Sequence, residues 1–226
     1  MAASPTTGCR PKSTVSCIWD GTPWLYLQAA TGGSGVVRRI VEWNYNQGWF
    51  ILCFTAMFWV AVAKEARAVR NRYFLCYVLI WIVIGNVLAG LFLSAGPAFY
   101  GEVTGDATRF AGLLAFLQPG AGGMHSAVTV QDYLWTLHRT GQTALGSGIS
   151  AFPSMHVALV TLNAIFIFER SRGWGFAAFA YVALVVASSV YLAWHYAIDG
   201  YAAVAMTLVI YATVRRASRT RISKLP

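Results

Sequence analysis

Tyr73 to Gly96 reads YFLCYVLIWIVIGNVLAGLFLSAG and contains no charged side chain. A membrane-spanning helix needs about 20 consecutive apolar residues, so this stretch alone predicts a transmembrane helix. The whole chain has the same character, because 57% of its 226 residues are hydrophobic, 15% are aromatic and 11% are charged. This composition excludes a soluble globular domain and predicts an integral membrane protein.

Four further apolar segments predict membrane spans. They are Gly48 to Ala63, extended at the membrane interface by Trp43 and Tyr45, and then Pro153 to Phe168, Gly173 to Trp194 and Ile198 to Val214. The expected fold class is therefore all-α, an integral membrane helical bundle of five transmembrane helices. Trp24 to Gln47, interrupted by Gly32-Gly33-Ser34-Gly35, is interpreted as interfacial or re-entrant, which leaves a sixth membrane segment open.

Basic residues mark one end of these spans. Eleven of the 17 follow the first, third and fifth spans: Lys64, Arg67, Arg70, Arg72, Arg170, Arg172, Arg215, Arg216, Arg219, Arg221 and Lys224. The positive-inside rule makes this end cytoplasmic. The net charge of +9 is thus an orientation signal spread over short loops, and it does not indicate a nucleic-acid partner.

Residues 97–149, between the second and third spans, are too polar to cross a membrane. Phe110 to Leu117 and Val128 to Leu137 predict two short helices, separated by Pro119-Gly120-Ala121-Gly122-Gly123. Both flanking spans end away from the basic loops. The two short helices are therefore expected to form a cap over the outer face.

Two short segments at that outer face carry the chemistry. Ala151-Phe152-Pro153-Ser154-Met155-His156 places a histidine in the first turn of a span, where free backbone donors would favour a phosphate. Trp194-His195-Tyr196-Ala197-Ile198-Asp199 places a second histidine four residues before an aspartate that can orient its ring. Two such histidines can attack a phosphate from one side and protonate the leaving oxygen from the other.

No metal and no cofactor are expected. The sequence has no His-Glu-x-x-His run and no cluster of carboxylates that could hold magnesium. The four cysteines, at positions 9, 17, 53 and 76, show neither metal-ligand spacing nor a disulfide framework. His125 and His138 are interpreted as surface residues.

The paired motifs resemble the second and third signature motifs of the type 2 phosphatidic acid phosphatase superfamily. Met155 replaces the glycine of the second motif, and Ser189 stands where the third motif has an arginine. The superfamily's first motif, Lys-(six residues)-Arg-Pro, is absent from the sequence. The nearer match is the inositol phosphorylceramide synthase and sphingomyelin synthase branch, whose second signature is similar to His195-Tyr196-Ala197-Ile198-Asp199. Ser94-Ala95-Gly96-Pro97-Ala98-Phe99-Tyr100 is also similar to the Gly-Pro-aromatic element of that branch.

The resemblance implies a role for each residue of the two motifs. His195 would be the nucleophile that becomes phosphohistidine, and Asp199 would be its orienting partner. His156 would be the acid that protonates the departing alkoxide. Ser154 and nearby backbone amides would hold the phosphate.

Substrate-binding residues are expected outside the two motifs as well. Gly96, Pro97 and Tyr100 either shape the pocket or only end a helix. Arg109 and Arg139 are the only arginines in the capping stretch. They either neutralise phosphate charge in place of the missing arginine or contact lipid headgroups.

The resemblance implies a metal-independent membrane lipid phosphotransferase that moves a phosphorylated headgroup between lipids. A lipid phosphate phosphatase and a catalytically silent relative that binds or moves lipids remain alternatives. Membrane lipids are the expected partners, and no oligomeric state is predicted. The excess of arginine over lysine favours a bacterial plasma membrane, with the site on its non-cytoplasmic face. Residues 1–47 would then be a polar and interfacial segment, 48–214 the membrane-embedded catalytic domain and 215–226 a basic cytoplasmic tail.

Overall fold

The computed structural model describes residues 23–123, 125–142 and 148–222, and within these ranges the chain is helical. Its helices are α1 Pro23–Thr31, α2 Gly35–Val62, α3 Lys64–Leu91, α4 Tyr100–Thr104, α5 Ala111–Leu117, α6 Ala127–Thr140, α7 Met155–Arg170, α8 Arg172–Tyr191 and α9 Ala197–Ile222. Extended pairing in this part of the chain is limited to one isolated bridge, between Ala95 and Ser150.

Four helices of the described residues, α2, α3, α8 and α9, are long and apolar enough to cross a membrane. The prediction of a helical membrane bundle is thus confirmed. The bounds differ from the sequence-based ones, since α2 begins at Gly35 instead of Gly48 and α3 ends at Leu91 instead of Gly96. Trp24 to Gln47 therefore divides between α1 and the first turns of α2.

The segment expected as the third span forms the short central helix α7. It has 16 residues, which at 1.5 Å per residue rise about 24 Å, less than the roughly 30 Å hydrocarbon core of a bilayer. Most of its side chains are buried, and it packs against α2, α3, α8 and α9. The number of spans, five or six, stays a prediction.

Three helices meet through charged side chains at the end of the bundle opposite His156. Glu169, near the end of α7, forms an ion pair with Arg72 of α3 and accepts a hydrogen bond from Tyr211 of α9. Arg215 lies 3.9 Å from the same carboxylate. The basic turns therefore share one end of the bundle, as the orientation argument requires.

The other end of the bundle is covered by α1, α5 and α6. Gly32 and Gly33, both with positive φ, end α1, and Thr31 contacts the Tyr191 hydroxyl at 3.3 Å. Helices α5 and α6 correspond to the two short helices expected in the capping stretch. Gln131 of α6 donates to the Leu192 carbonyl at 2.8 Å, so the cap is attached to the end of α8.

Candidate active site

The turn between α8 and α9 presents His195. After Tyr191 the chain turns sharply at Ala193, which has a φ of 61°. The N–H groups of Trp194 and His195 both donate to the Ser189 carbonyl, at 2.9 and 3.3 Å. His195 is thereby fixed by backbone bonds directly before α9 begins.

The segment after α3 holds this turn and the other motif together. The Ala98 N–H donates to the Ala193 carbonyl at 2.9 Å, and the Ala151 N–H donates to the Ser94 carbonyl at 2.7 Å. At Gly96 an added Cβ would lie 2.3 Å from the Trp194 carbonyl oxygen, a distance that only glycine avoids. The role of Gly96 is therefore to let two backbones meet.

His195 makes a hydrogen bond with each ring nitrogen. Nδ1 lies 2.7 Å from the Ala151 carbonyl oxygen, and Nε2 lies 3.2 Å from Ser154 Oγ. Because a carbonyl oxygen only accepts, Nδ1 carries the proton and donates it to Ala151. The lone pair is then on Nε2, where it faces Ser154.

Asp199 lies close to the same ring but is not its nearest partner. Its Oδ2 is 3.6 Å from His195 Nδ1 and accepts the Tyr196 N–H at 2.9 Å. The side chain is 2% exposed and sits in the first turn of α9, where the helix dipole favours a carboxylate. The nearest acceptor of His195 Nδ1 is thus the Ala151 carbonyl, where the sequence predicted Asp199.

His156 packs between aromatic rings of α2. Its ring stacks on Tyr45 with centroids 4.6 Å apart and an interplanar angle of 12°, and its centroid lies 4.3 Å from that of Trp49. The centroids of His156 and His195 are 6.4 Å apart. The rings of Tyr45, Trp49 and His195 therefore surround the His156 ring.

The start of α7 has free backbone donors. Ser154 is its N-cap residue, but its hydroxyl contacts His195 and makes no capping bond to the helix. The first N–H groups of a helix have no acceptor within it, and such a helix end binds phosphate well. Pro153 directly precedes this N-cap residue, so α7 begins two residues after the start of the expected span.

A cavity of about 40 Å³ opens beside His195. Pro97, Arg109 and Tyr196 are among its lining residues, together with Trp24 of α1. Arg109 is the one arginine or lysine in the described lining. Its guanidinium donates to the Tyr100 hydroxyl at 3.4 Å, a bond that raises the pKa of Arg109, and it packs over the Tyr100 ring. Burial raises the pKa of Tyr196 to about 12, so its hydroxyl stays protonated.

The structure gives the surroundings of the two motif departures, Ser189 and Met155, and of Arg139. Ser189 is fully buried and its hydroxyl donates to the Val186 carbonyl at 2.7 Å, so this position supplies no cation. The sulfur of Met155 packs against Gly85 of α3, where a Cβ would lie 3.1 Å from it. Arg139 is exposed in the last turn of α6 and is not among the lining of the His195 cavity.

Several features of the site were missed in the sequence. Tyr45 and Trp49 are four residues apart on α2 and therefore share a face, which is a signal that points to a common contact. The contact of Trp49 with His156 was not predicted from the sequence. The Ala151 carbonyl and Trp24 have no sequence signal, because each depends on how distant segments meet.

Comparison with known families identifies the chain at the level of a superfamily. The family model described as the PAP2 superfamily matches residues 22–213. The chain belongs to the PAP2 superfamily. No curated protein and no solved structure matches it. As a PAP2 superfamily member, it is expected to act as a phosphatase or phosphotransferase on lipid phosphates, which agrees with the apolar helices around the site.

The described part of this PAP2 superfamily chain contains no group of three or more histidine, cysteine or acidic side chains placed to hold a metal ion. Cys53 and Cys76 are buried and unpaired inside α2 and α3. Cys9 and Cys17 lie outside the described residues.

Proposed function

We propose that the chain is a membrane lipid phosphotransferase that moves a phosphorylated headgroup from one lipid to another through a phosphohistidine at His195. The observation that carries this proposal is the pair of hydrogen bonds on the His195 ring, to the Ala151 carbonyl and to Ser154. With Nδ1 protonated, only Nε2 is available as a nucleophile. It faces the start of α7, where a phosphate would be held.

In the first step, the Nε2 lone pair attacks phosphorus, so that a nitrogen–phosphorus bond forms and the bond to the lipid oxygen breaks. His156 gives its proton to the departing alkoxide. The negative charge of the bound phosphate favours protonated His156 before the step. Asp199 lies near Nδ1 and balances the positive charge that the His195 ring acquires.

In the second step, a lipid alcohol attacks the same phosphorus. Neutral His156 accepts the proton of this alcohol, the nitrogen–phosphorus bond breaks, and His195 regains its lone pair. Water competes with the alcohol in this step. Trp24, Phe110 and Leu113 line the His195 cavity and limit the space for water beside it.

The cations near the site favour a donor with one negative charge. Phosphatidic acid carries a phosphomonoester of nearly two charges, for which a fixed pair of arginine nitrogens is well suited. Here Ser189 replaces that arginine, and Arg109 is the cation in the described lining of the His195 cavity. A phosphodiester with one charge matches Arg109 and the backbone donors of α7 better.

The proposal also includes the type of headgroup donor, the side of the membrane and the kind of cell. The synthase branch for inositol phosphorylceramide and sphingomyelin transfers headgroups of this kind, and Gly96 and Pro97 lie next to the His195 turn. The positive-inside rule assigns the Arg72 and Arg215 end to the cytoplasm. The site then faces the opposite side of a plasma membrane, for which the arginine-rich composition favours a bacterial source.

The decisive experiment compares transfer with hydrolysis. Purified protein in detergent, with excess chelator, receives a phosphodiester lipid labelled in its headgroup together with a lipid alcohol. We expect the label in a new lipid, and we expect activity to survive the chelator and His138→Ala but not His195→Ala. Inorganic phosphate from phosphatidic acid as the main product, unaffected by any lipid alcohol, would establish the phosphatase alternative instead.

A further inference from the structure

A second cleft lies between the first turns of α2 and the loop that joins α5 to α6. Its volume is about 590 Å³, and its lining includes Arg38, Arg39, Glu42, Trp43 and Ser126. The residues that line it differ from those that line the His195 cavity. Arg38 precedes Tyr45 by two turns of α2, so this cleft is displaced by about 10 Å along the helix from the ring that stacks on His156.

Arg38 is a buried cation whose hydrogen bonds are incomplete. The residue is 8% exposed, and one terminal guanidinium nitrogen donates to the Phe116 carbonyl at 3.0 Å. Its Nε has no hydrogen-bond acceptor among the described residues. A buried charge without full pairing is costly. A further anionic acceptor in the cleft would stabilise Arg38.

The carboxylate of Glu42 cannot neutralise both Arg38 and Arg39, the two arginines of the cleft. It is 3% exposed, and its Oε1 accepts the Ala127 N–H at 3.1 Å, which ties it to the start of α6. Both Arg38 and Arg39 attract the same carboxylate. Two guanidinium groups facing one carboxylate leave the cleft with one positive charge.

A neutral donor is available beside this charge. Ser126 is 3% exposed, and its hydroxyl has no hydrogen-bond partner within the described ranges. Together with Arg38 Nε it gives the cleft two unused polar groups, each on a residue that is more than nine-tenths buried and that lines the cleft. A phosphate ester oxygen can accept from both kinds of donor.

We propose that this cleft binds the phosphodiester headgroup of an anionic membrane lipid, at a site separate from His195. The ligand is a lipid because the same turns of α2 carry exposed apolar side chains. Val36, Ile40 and Trp43 are 57%, 62% and 50% exposed, so acyl chains can lie against them while the phosphate enters the cleft. A single negative charge matches the one uncompensated positive charge.

The test measures binding instead of turnover. Purified His195→Ala protein, which cannot consume the lipid, is titrated with a short-chain phosphatidylglycerol while thermal unfolding is followed. Ligand that binds the folded state raises the melting temperature as its concentration exceeds the dissociation constant. We expect a rise with phosphatidylglycerol, and a dissociation constant at least fivefold higher for phosphatidylcholine of the same chain length and for inorganic phosphate.

Variants place the binding at this cleft. Arg39→Gln should raise the dissociation constant for phosphatidylglycerol at least threefold and Arg38→Gln at least tenfold. Arg67→Gln, in the basic turn after α2 and outside the lining of both cavities, should leave it unchanged. If Arg38→Gln does not fold, the test relies on two other variants. These are Arg39→Gln, at an exposed position, and Ser126→Ala, which should raise the dissociation constant at least twofold. Equal stabilisation by phosphatidylcholine or by inorganic phosphate, or no effect of these variants, would overturn the proposal. Because no turnover is measured, the proposed transferase reaction can fail independently.

Discussion

Gly96→Ala should damage the active site without touching substrate. The added Cβ would lie 2.3 Å from the Trp194 carbonyl oxygen, and ordinary contacts of this kind begin at 3.4 Å. The neighbour is backbone and cannot rotate away. The turn that carries His195 must therefore move by about 1 Å, a displacement that can cost roughly 10²-fold in rate. Overpacking of a tight contact typically costs about 1–3 kcal/mol of stability.

The assay measures kcat and KM for headgroup transfer together with thermal unfolding in detergent. We expect kcat to fall by about 10²-fold with a smaller change in KM, because the loss is in the placement of the nucleophile. Gly90→Ala is the matched control, since no atom lies within 4 Å of its added Cβ and its φ is ordinary. A Gly96→Ala protein with kcat within threefold of the parent would refute the reasoning.

Four other substitutions test the remaining parts of the site and its orientation in the membrane. His156→Ala should slow the release of an alkoxide by at least tenfold more than the release of a phenolate, which needs little protonation; equal losses in both rates would contradict its role as the acid. Asp199→Asn should reduce kcat by about 10²-fold, the lower end of the range for such groups, because the Ala151 carbonyl also fixes the His195 ring. A loss of kcat as large as that of His195→Ala would mean that this carbonyl does not hold the tautomer of His195. Ala68→Cys and Thr104→Cys, each at an exposed position, are made singly in a background without the native cysteines and treated in intact cells with an impermeant thiol reagent. We expect labelling of Thr104→Cys only, because the basic loop near Ala68 is assigned to the cytoplasm. Labelling of Ala68→Cys only would mean that the membrane orientation is the opposite one.

Hydropathy was sufficient to locate the four long apolar helices, and the two local motifs were sufficient to expect His156 and His195 at the same end of the bundle. The uncharged stretch after Arg72 and the basic residues between spans are properties of short segments, so they were visible in the sequence. The start of α2 at Gly35 could not be predicted from the sequence, because Arg38 and Glu42 interrupt the apolar pattern. Both side chains are buried against the cap, where they bond to Phe116 and to Ala127.

The finer geometry of the site depends on contacts between distant segments. Gly96 was visible as part of a Gly-Pro element, but its approach to Trp194 depends on how α3 ends relative to α8. The same holds for the Ala151 carbonyl, which reaches His195 across 44 residues of sequence. A periodic pattern in one segment carries no information about such backbone contacts.

The central claim is that the headgroup phosphate becomes covalently attached to His195. The direct measurement is rapid quenching of the purified protein with a donor labelled at the headgroup phosphorus, in the absence of a lipid alcohol, followed by peptide mapping in base. The account predicts label on the peptide that contains His195, stable in base and released by acid, present in His138→Ala and absent in His195→Ala. Label on a different residue, or a labelled product formed during turnover with no label on any histidine, would contradict it.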